Sequence, residues 1–256
     1  MRLLLAPFFA LAFLLHQHPA AAVIVTDGLI HYWPLDAPNG PTAPDMVGSW
    51  DLQLRGRATF GAPAVVGVGV LLDGGYLLSA PAVNAFLAAD FTLSLWVRWL
   101  SMPGKPGLLQ FNAQGAAPDL SIDLDLDLRP SVGIGRAGGM GSSKSLADKN
   151  WHLLSVVREG NSAFLYLDAD VVGTGKGDMT MTNIPTSFRL GLYDASHMFG
   201  GVIDDVAIYN RALSPSEIAA NAIPEPNAAA LLALSVGLFA GARPCRAFNQ
   251  RRSHPN

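Results

Sequence analysis

Cysteine is almost absent from this chain. Its 256 residues contain one, Cys245, near the C-terminal end, so the body of the protein has neither a disulfide nor a thiol nucleophile and is held by packing alone. Charge is sparse, at 14% of residues, and one sign is short: between residues 23 and 226 there are 12 Lys and Arg against 20 Asp and Glu, a net charge of −8. An acidic body without a basic stripe excludes nucleic acid as a partner. Familiar catalytic spacings are missing too. No His-x-x-His or His-Glu-x-x-His occurs, which argues against zinc, and no Gly-x-Ser-x-Gly elbow is present for serine catalysis. "GIGRAGGMG" at 133–141 is glycine-rich but opens no helix, so it reads as a loop with positive φ rather than a phosphate cradle.

Long apolar runs are confined to the two ends. Residues 1–22 carry Arg2, an apolar stretch over 3–15, then Ala20, Ala21 and Ala22, the three zones of a secretory signal peptide, with cleavage by signal peptidase expected before Val23. At the other end Pro224, Glu225 and Pro226 precede an uncharged stretch over 227–242 and then Arg243, Arg246, Arg251 and Arg252. As a helix, 228–242 would span roughly 22 Å against a hydrocarbon core of about 30 Å, so it reads as a short, transient transmembrane anchor with its basic end in the cytoplasm. These parts, in this order, resemble a bacterial PEP-CTERM sorting signal. The resemblance implies processing near 224–226 by an exosortase-type protease and release or attachment at the cell envelope.

Between these ends no helical apolar period exceeds about two turns, whereas short β-type runs alternate with Gly, Pro, Asn and Asp. The best are 29–35, 68–72, 91–99, 107–111, 120–128, 132–135, 151–158, 163–167, 188–192 and 202–209. So many strands with turns between them call for two stacked antiparallel sheets in one domain, 23–222. Ser214, Pro215, Ser216 and Glu217 form a capping box with proline at the first helical position, which predicts one short C-terminal helix. "LIHYWPLD" (29–36), "FTLSLWVRW" (91–99), "WHLLSVVREGNSAFLYLDADVVGTG" (151–175) and "FGGVIDDVAIYNRALSPSEI" (199–218) resemble successive motifs of laminin-G-like, concanavalin A-like domains. The resemblance implies an all-β jelly-roll sandwich.

Candidate chemistry centres on aspartate. "SIDLDLDLRP" (121–130) alternates Asp123, Asp125 and Asp127 with Leu124, Leu126 and Leu128, so a continuous strand would stack three carboxylates on one face. The spacing imitates the E-x-D-x-E strand of retaining glucanases in the resembled family. Neighbours on one strand face nevertheless sit about 6.7 Å apart, against roughly 5 to 5.5 Å for a retaining pair, and the row reads first as a solvated strand face or a ligand-binding surface. The resemblance also suggests one structural calcium ion on Asp36 and Asp204. Adjacent residues of a regular strand face opposite ways, so Asp205 is not expected to join Asp204. Trp50 and Tyr193, in loop or strand-end settings, are candidate sugar platforms. The function expected from the sequence is an exported, non-enzymatic module that binds extracellular carbohydrate or protein at the envelope. The alternatives are a polysaccharide-cleaving glycoside hydrolase using Asp123, Asp125 and Asp127, and a structural matrix or biofilm protein without a small ligand.

Overall fold

Side-chain alternation in "FTLSLWVRW" sends Phe91, Leu93, Leu95 and Val97 into the principal core, while Thr92, Ser94 and Trp96 face the other way and are buried as well. A strand buried on both faces belongs at the centre of a layer. The computed structural model places it there. It describes residues 24–36, 40–79, 85–101, 106–112, 120–136, 139–181, 185, 187–194 and 196–223. The expected signal peptide (1–22), the Pro224-Glu225-Pro226 triplet and the rest of the sorting tail lie outside these residues. Among the described residues no helix is long and apolar enough to cross a membrane.

The elements are β1 (Leu29–Trp33), β2 (Thr42–Ala43), β3 (Leu52–Pro63), β4 (Val68–Ser79), a 3-10 turn (Ala85–Ala88), β5 (Phe91–Trp99), β6 (Gly107–Asn112), β7 (Leu120–Leu124), β8 (Pro130–Ile134), β9 (Gly139–Gly141), β10 (His152–Glu159), β11 (Ser162–Leu167), β12 (Asp170–Lys176), β13 (Ser187–Leu190), β14 (Gly200–Tyr209) and α1 (Pro215–Asn221). One hydrogen-bonded ladder runs β12-β11-β10-β5-β14-β4-β13-β6-β7-β8-β9, with β1 on β14 and β3 on β4. The first half of β4 pairs with β14 and its last residues with β13, so β4 belongs to both layers. Layer one is β12-β11-β10-β5-β14 with β1; layer two is β13-β6-β7-β8-β9. At the far side the layers meet again, where a Cβ on Gly173 of β12 would lie 2.6 Å from the Gly141 carbonyl oxygen of β9. The result is a nearly closed antiparallel sandwich, as expected.

Between the layers lie Trp33, Phe91, Phe111, Phe188 and Phe199 with the leucines and valines of the inner faces, each fully buried large side chain contributing about 1.5 to 3 kcal/mol by area. A second, smaller cluster lies on the outer face of layer one, where Leu213 and Ile218 cover Ala207, Tyr209, Val157 and Tyr166. The helix that closes it starts at the expected place. Glu217 N–H donates to Ser214 Oγ (3.3 Å), Ser214 N–H donates to Glu217 Oε2 (2.8 Å), and Arg211 Nη2 pairs with Glu217 Oε1 at 2.6 Å. These contacts hold the Glu217 carboxyl at about 2, Arg211 being the largest cause.

Two long strand regions escaped the sequence reading: β3, whose register shifts at 56–58 and 60–62, and β12, which carries Gly173 and Gly175. Both interrupt the apolar/polar alternation on which strand recognition depends. The run expected over 120–128 also ends early, at Leu124.

The loop joining β2 to β3 carries Trp50 and is organised by one carboxylate. Asp45, whose side chain is inaccessible to solvent, accepts from the backbone N–H groups of Tyr32 (3.1 Å), Val47 (3.2 Å), Gly48 (2.9 Å) and Trp50 (3.0 Å), and pairs with His31 Nδ1 at 2.6 Å. Burial alone would raise its pKa; the hydrogen bonds from His31, Trp50, Gly48 and Tyr32 outweigh that and lower it. A carboxylate whose folded pKa is depressed stabilises the fold above its unfolded value and stops doing so as pH falls through the folded value. Asp45→Ala is therefore expected to lower unfolding free energy by about 2 to 3 kcal/mol at pH 7, with the deficit narrowing below about pH 4. Urea denaturation across pH measures this, and a loss under about 0.5 kcal/mol at pH 7 would contradict the role given to Asp45.

Candidate functional site

On layer two the apolar residues Phe188 and Leu190, Leu109 and Phe111, and Leu120, Ile122 and Leu124 point into the core, so alternation turns Arg189, Gln110, Ser121 and Asp123 to the opposite face. The register aligns them. Gln53 pairs with Leu78, Leu78 with Arg189, Arg189 with Gln110, and Gln110 with Ser121. At about 4.8 Å between strands this row crosses roughly 19 Å of the sheet. Asp123, one step along β7, pairs with Gly107 on one side and Ser131 on the other.

Three atoms on this face are buried without a hydrogen-bond partner: Arg189 Nε, Gln110 Oε1 and Asp123 Oδ1. They sit on three adjoining strands, β13, β6 and β7. Desolvation pushes the Asp123 carboxyl up to about 6, against the opposing effects of a Ser121 hydrogen bond and the charge of His197. His197 comes from the turn between β13 and β14, which folds over this end of the sheet. Gly107 N–H donates to the His197 carbonyl (3.2 Å), as does Tyr193 N–H (3.0 Å), and His197 Nδ1 pairs with Asp194 Oδ1 at 2.7 Å. The Tyr193 ring meets the His197 ring edge-on at 6.2 Å. At the other end of the row is a groove of about 390 Å³ lined by Trp50, Asp51, Gln53, Arg55 and Leu78. The Trp50 ring is stacked on His31 at 3.9 Å. A second hollow of about 460 Å³, around Leu54, Gly56, Ala58 and Phe60, has no charged side chain among the described residues of its lining.

The row of three stacked aspartates does not form. Asp125 lies beyond the end of β7 and caps the turn, accepting from Asp127 N–H (2.8 Å) and Arg129 N–H (2.9 Å). Leu128 takes a φ of 59° and Leu126 is 75% exposed. Asp127 is exposed in the same turn, within 3.9 Å of Arg129. An aspartate that can accept from its own backbone two residues on favours a turn over a strand, so Asp123 is the member of the row that reaches the face. The sequence reading thus named Asp123, Trp50 and Tyr193 separately, without relating them to one surface, and passed over Arg189, Gln110, Ser121 and His197. The alternation in "SFRL" was the available signal for Arg189, since Phe188 and Leu190 flank it.

The second carboxylate set is brought together by a bulge. Asp204 pairs with Trp96, but Ala207 pairs with Ser94, so β14 carries an extra residue there, and Asp205 takes a φ of 46°. The rule that adjacent residues face opposite ways is broken locally, and Asp204 and Asp205 both lie buried, within electrostatic reach of each other and of Asp36. Tyr32 O–H donates to Asp205 Oδ1 (2.5 Å), while Val68 N–H donates to Asp36 Oδ1 (2.9 Å). Asp204 Oδ1 and Asp205 Oδ2 are buried without partners. Desolvation raises both carboxyls; at Asp204 repulsion from Asp205 adds to it, while at Asp205 the Tyr32 hydrogen bond opposes it and Asp36 adds to it, and the Tyr32 hydroxyl is raised by burial and by the charge of Asp205.

Residues 73–219, more than half of the chain, match the family described as the concanavalin A-like lectin/glucanases superfamily. No curated protein matches the sequence. Among solved structures, a Trypanosoma rangeli sialidase in complex with 2,3-difluorosialic acid, described as a covalent intermediate, superposes with a TM-score of 0.63 at 20% identity, covering 78% of this chain and 33% of the sialidase. The same sialidase with the inhibitor DANA gives 0.62. A binding domain of botulinum neurotoxin DC in complex with SialylT gives 0.60 at 14% identity, covering 75% of this chain and 50% of that one. The chain thus spans about a third of the sialidase, and these likenesses establish the jelly-roll fold. The expectation of a non-enzymatic module is corrected by the sialidases among these neighbours.

The electrostatics of the face make a direct prediction. The Asp123 carboxyl resonance should titrate with a midpoint near 6. His197→Ala and Ser121→Ala should each move the midpoint upward, because both residues favour the ionised form. A midpoint near 4 in the unmodified protein, the ordinary value for aspartate, would show that the face is wet and Asp123 solvated.

Proposed function

Since the chain belongs to the concanavalin A-like lectin/glucanase superfamily, we propose that it is a glycoside hydrolase domain that works on extracellular glycan at the face around Asp123. The observation that carries this reading is a half-buried carboxyl with one unpartnered oxygen, shifted to about 6 by desolvation, at the edge of an aligned polar row. A carboxyl with that pKa keeps its proton in mildly acidic solution and donates it to a glycosidic oxygen as the sugar leaves. His197, paired through Nδ1 with Asp194, supplies the positive charge that opposes desolvation at Asp123, and water takes the leaving group's place on the sugar, its proton passing to solvent. Asp125 and Asp127 take no part, the first being committed to its turn and the second lying in solvent. Sialidase and sialoside complexes among the structural neighbours support a glycan as substrate. Residues 1–22 and 223–256 would export the domain and sort it to the cell envelope through signal peptidase and an exosortase-type protease.

The reading includes one structural calcium ion, held by Asp204 with Asp36. Its support is the pair of buried, unpartnered oxygens, Asp204 Oδ1 and Asp205 Oδ2. Among the described residues no three acidic or histidine side chains converge as a ready-made ligand set, so backbone carbonyls and water would complete the six to eight oxygens that calcium requires. The ion would offset repulsion between carboxylates and tie the end of β1 to β14. A ligand bound only by the folded form raises its stability. A chelator is therefore expected to lower the melting temperature by several degrees, calcium to restore it, and Asp204→Asn to abolish the response; a chelator-insensitive melting temperature would remove calcium from the proposal.

For the hydrolase itself, reducing-sugar release from β-glucans and sialic acid release from sialyllactose are the assays. Asp123→Asn is expected to lower kcat by about 10²- to 10⁴-fold with little change in KM. The alkaline limb of the pH profile should fall near 6, where the acid loses its proton. No turnover on the panel, or equal rates in Asp123→Asn, would reject the enzyme.

A further inference from the structure

Among the described residues no ion pair engages Arg189, in a setting where this fold elsewhere supplies partners. The buried Arg158 donates through Nη1 to the Leu87 carbonyl at 2.6 Å and through Nε to the Gly160 carbonyl at 3.4 Å. Arg98 donates to the Lys149 carbonyl at 2.8 Å, and Arg211 forks onto Glu217. Ion pairs among the described residues engage Arg57, Arg129, Lys144 and Arg211 but not Arg189. Arg189 Nε is instead buried with no acceptor, and its cross-strand neighbours are Leu78 and Gln110, neither of which carries charge. Gln110 is 3% exposed, and its own Oε1 is unpartnered although Arg189 stands beside it in the register. The buried Nε of a half-buried cation and a buried amide oxygen, side by side in the register and not bonded to each other, leave free energy unrealised in the protein alone.

We infer that this face takes a carboxylate-bearing sugar, a uronic or sialic acid unit, with Arg189 receiving the carboxylate. This inference rests on the proposed action of the face on glycan and names its substrate class. The guanidinium offers parallel N–H donors in the fork that matches a carboxylate, and its charge is met only by an anion. Gln110 Oε1 accepts from a sugar hydroxyl, Ser121 lies next along the row, and Leu78 offers an apolar ledge to the C–H face of the ring. A neutral sugar satisfies Gln110 as well but leaves the cation uncompensated. Recognition of the carboxylate and delivery of a proton fall to separate residues, because Arg189 and Asp123 lie on strands separated by β6.

Isothermal titration with matched probes tests this. Trigalacturonic acid is compared with its methyl ester, and sialyllactose with lactose, on the Asp123→Asn protein so that turnover does not intrude. At least one acid probe is expected to bind about tenfold or more tightly than its neutral counterpart. Arg189→Met should bring the two within about twofold, while Arg189→Lys, which keeps the charge but loses the fork, should retain part of the preference. Circular dichroism and melting temperature establish that each variant is folded; if Arg189→Met does not fold, the acid-against-ester comparison and Arg189→Lys decide. Equal affinity for acid and neutral forms, no binding of either acid, or a preference that survives in Arg189→Met overturns the inference. Cleavage of neutral glucans without acid preference would overturn it while leaving the hydrolase intact. Acid binding without turnover in the unmodified protein would support it while rejecting the hydrolase.

Discussion

The sandwich depends on β3 and β4, each 12 residues long, changing layer halfway along without breaking their ladder. The change happens at Gly74 and Gly75. A Cβ on Gly75 would lie 2.1 Å from the Ala58 nitrogen, so the two backbones approach there more closely than any side chain permits. Before the bend β4 pairs with β14, and after it with β13. One strand thereby fixes the relative position of both layers, and with it the register of every strand outward from it. The polar row on layer two inherits that register, since Gln53, Leu78 and Arg189 align through β4. A slip of one residue would turn Arg189 inward and Phe188 outward. The geometry of the candidate site is thus set by a backbone constraint outside its own residues.

The outer faces of the two layers differ in chemistry: apolar side chains lie on that of layer one, whereas Gln110, Ser121 and Asp123 lie on that of layer two. Layer one is sealed outside by α1 and the segment entering β1, with Asn221 Nδ2 donating to the buried Tyr209 hydroxyl (3.1 Å) and accepting from Val25 N–H (2.9 Å). On layer two the row is shielded from solvent as well, Gln110 being 3% and Ser121 8% exposed. Buried polar atoms are normally hydrogen-bonded, so unpartnered atoms there are uncommon. Three of them on adjoining strands make the face a place where a ligand replaces solvent rather than a surface wetted throughout. The unpartnered Ser155 Oγ, by contrast, is fully buried on β10 beneath the smaller apolar cluster, where a ligand has no access.

The strands that the sequence revealed are those whose apolar periodicity is uninterrupted, such as β5, recovered to the residue, and β14, extended by Gly200 and Gly201. The capping box worked because its signal is local: Ser214 and Glu217 bond to each other's backbone. What was hidden depended on backbone irregularity. The Asp123, Asp125 and Asp127 spacing reads as a strand only if φ stays negative through 128, and Leu128 at 59° ends it. Asp204 and Asp205 read as opposed only in a regular strand, and the bulge reverses that. Arg189 was hidden for another reason: its interest lies in the absence of a partner, and partners come from strands distant in sequence. No single-strand pattern carries that information.

The two carboxylate clusters show how one physical term produces different chemistry. Desolvation is the largest influence on Asp123, Asp204 and Asp205 alike. At Asp123 it is opposed by a neutral hydrogen bond from Ser121 and by His197, with no second carboxylate among the causes, so a single proton is held weakly enough to be given up near neutrality. At Asp204 a neighbouring carboxylate adds to burial, and two negative charges that share a dry site are relieved by a proton or by a cation. The first arrangement suits proton transfer to a ligand that reaches this face. The second suits a fixed counter-charge within the frame, beside the strand on which both layers are built. The bulge that brings Asp205 to Asp204 therefore serves the scaffold, whereas the uninterrupted alternation of β7 and β13 serves the face.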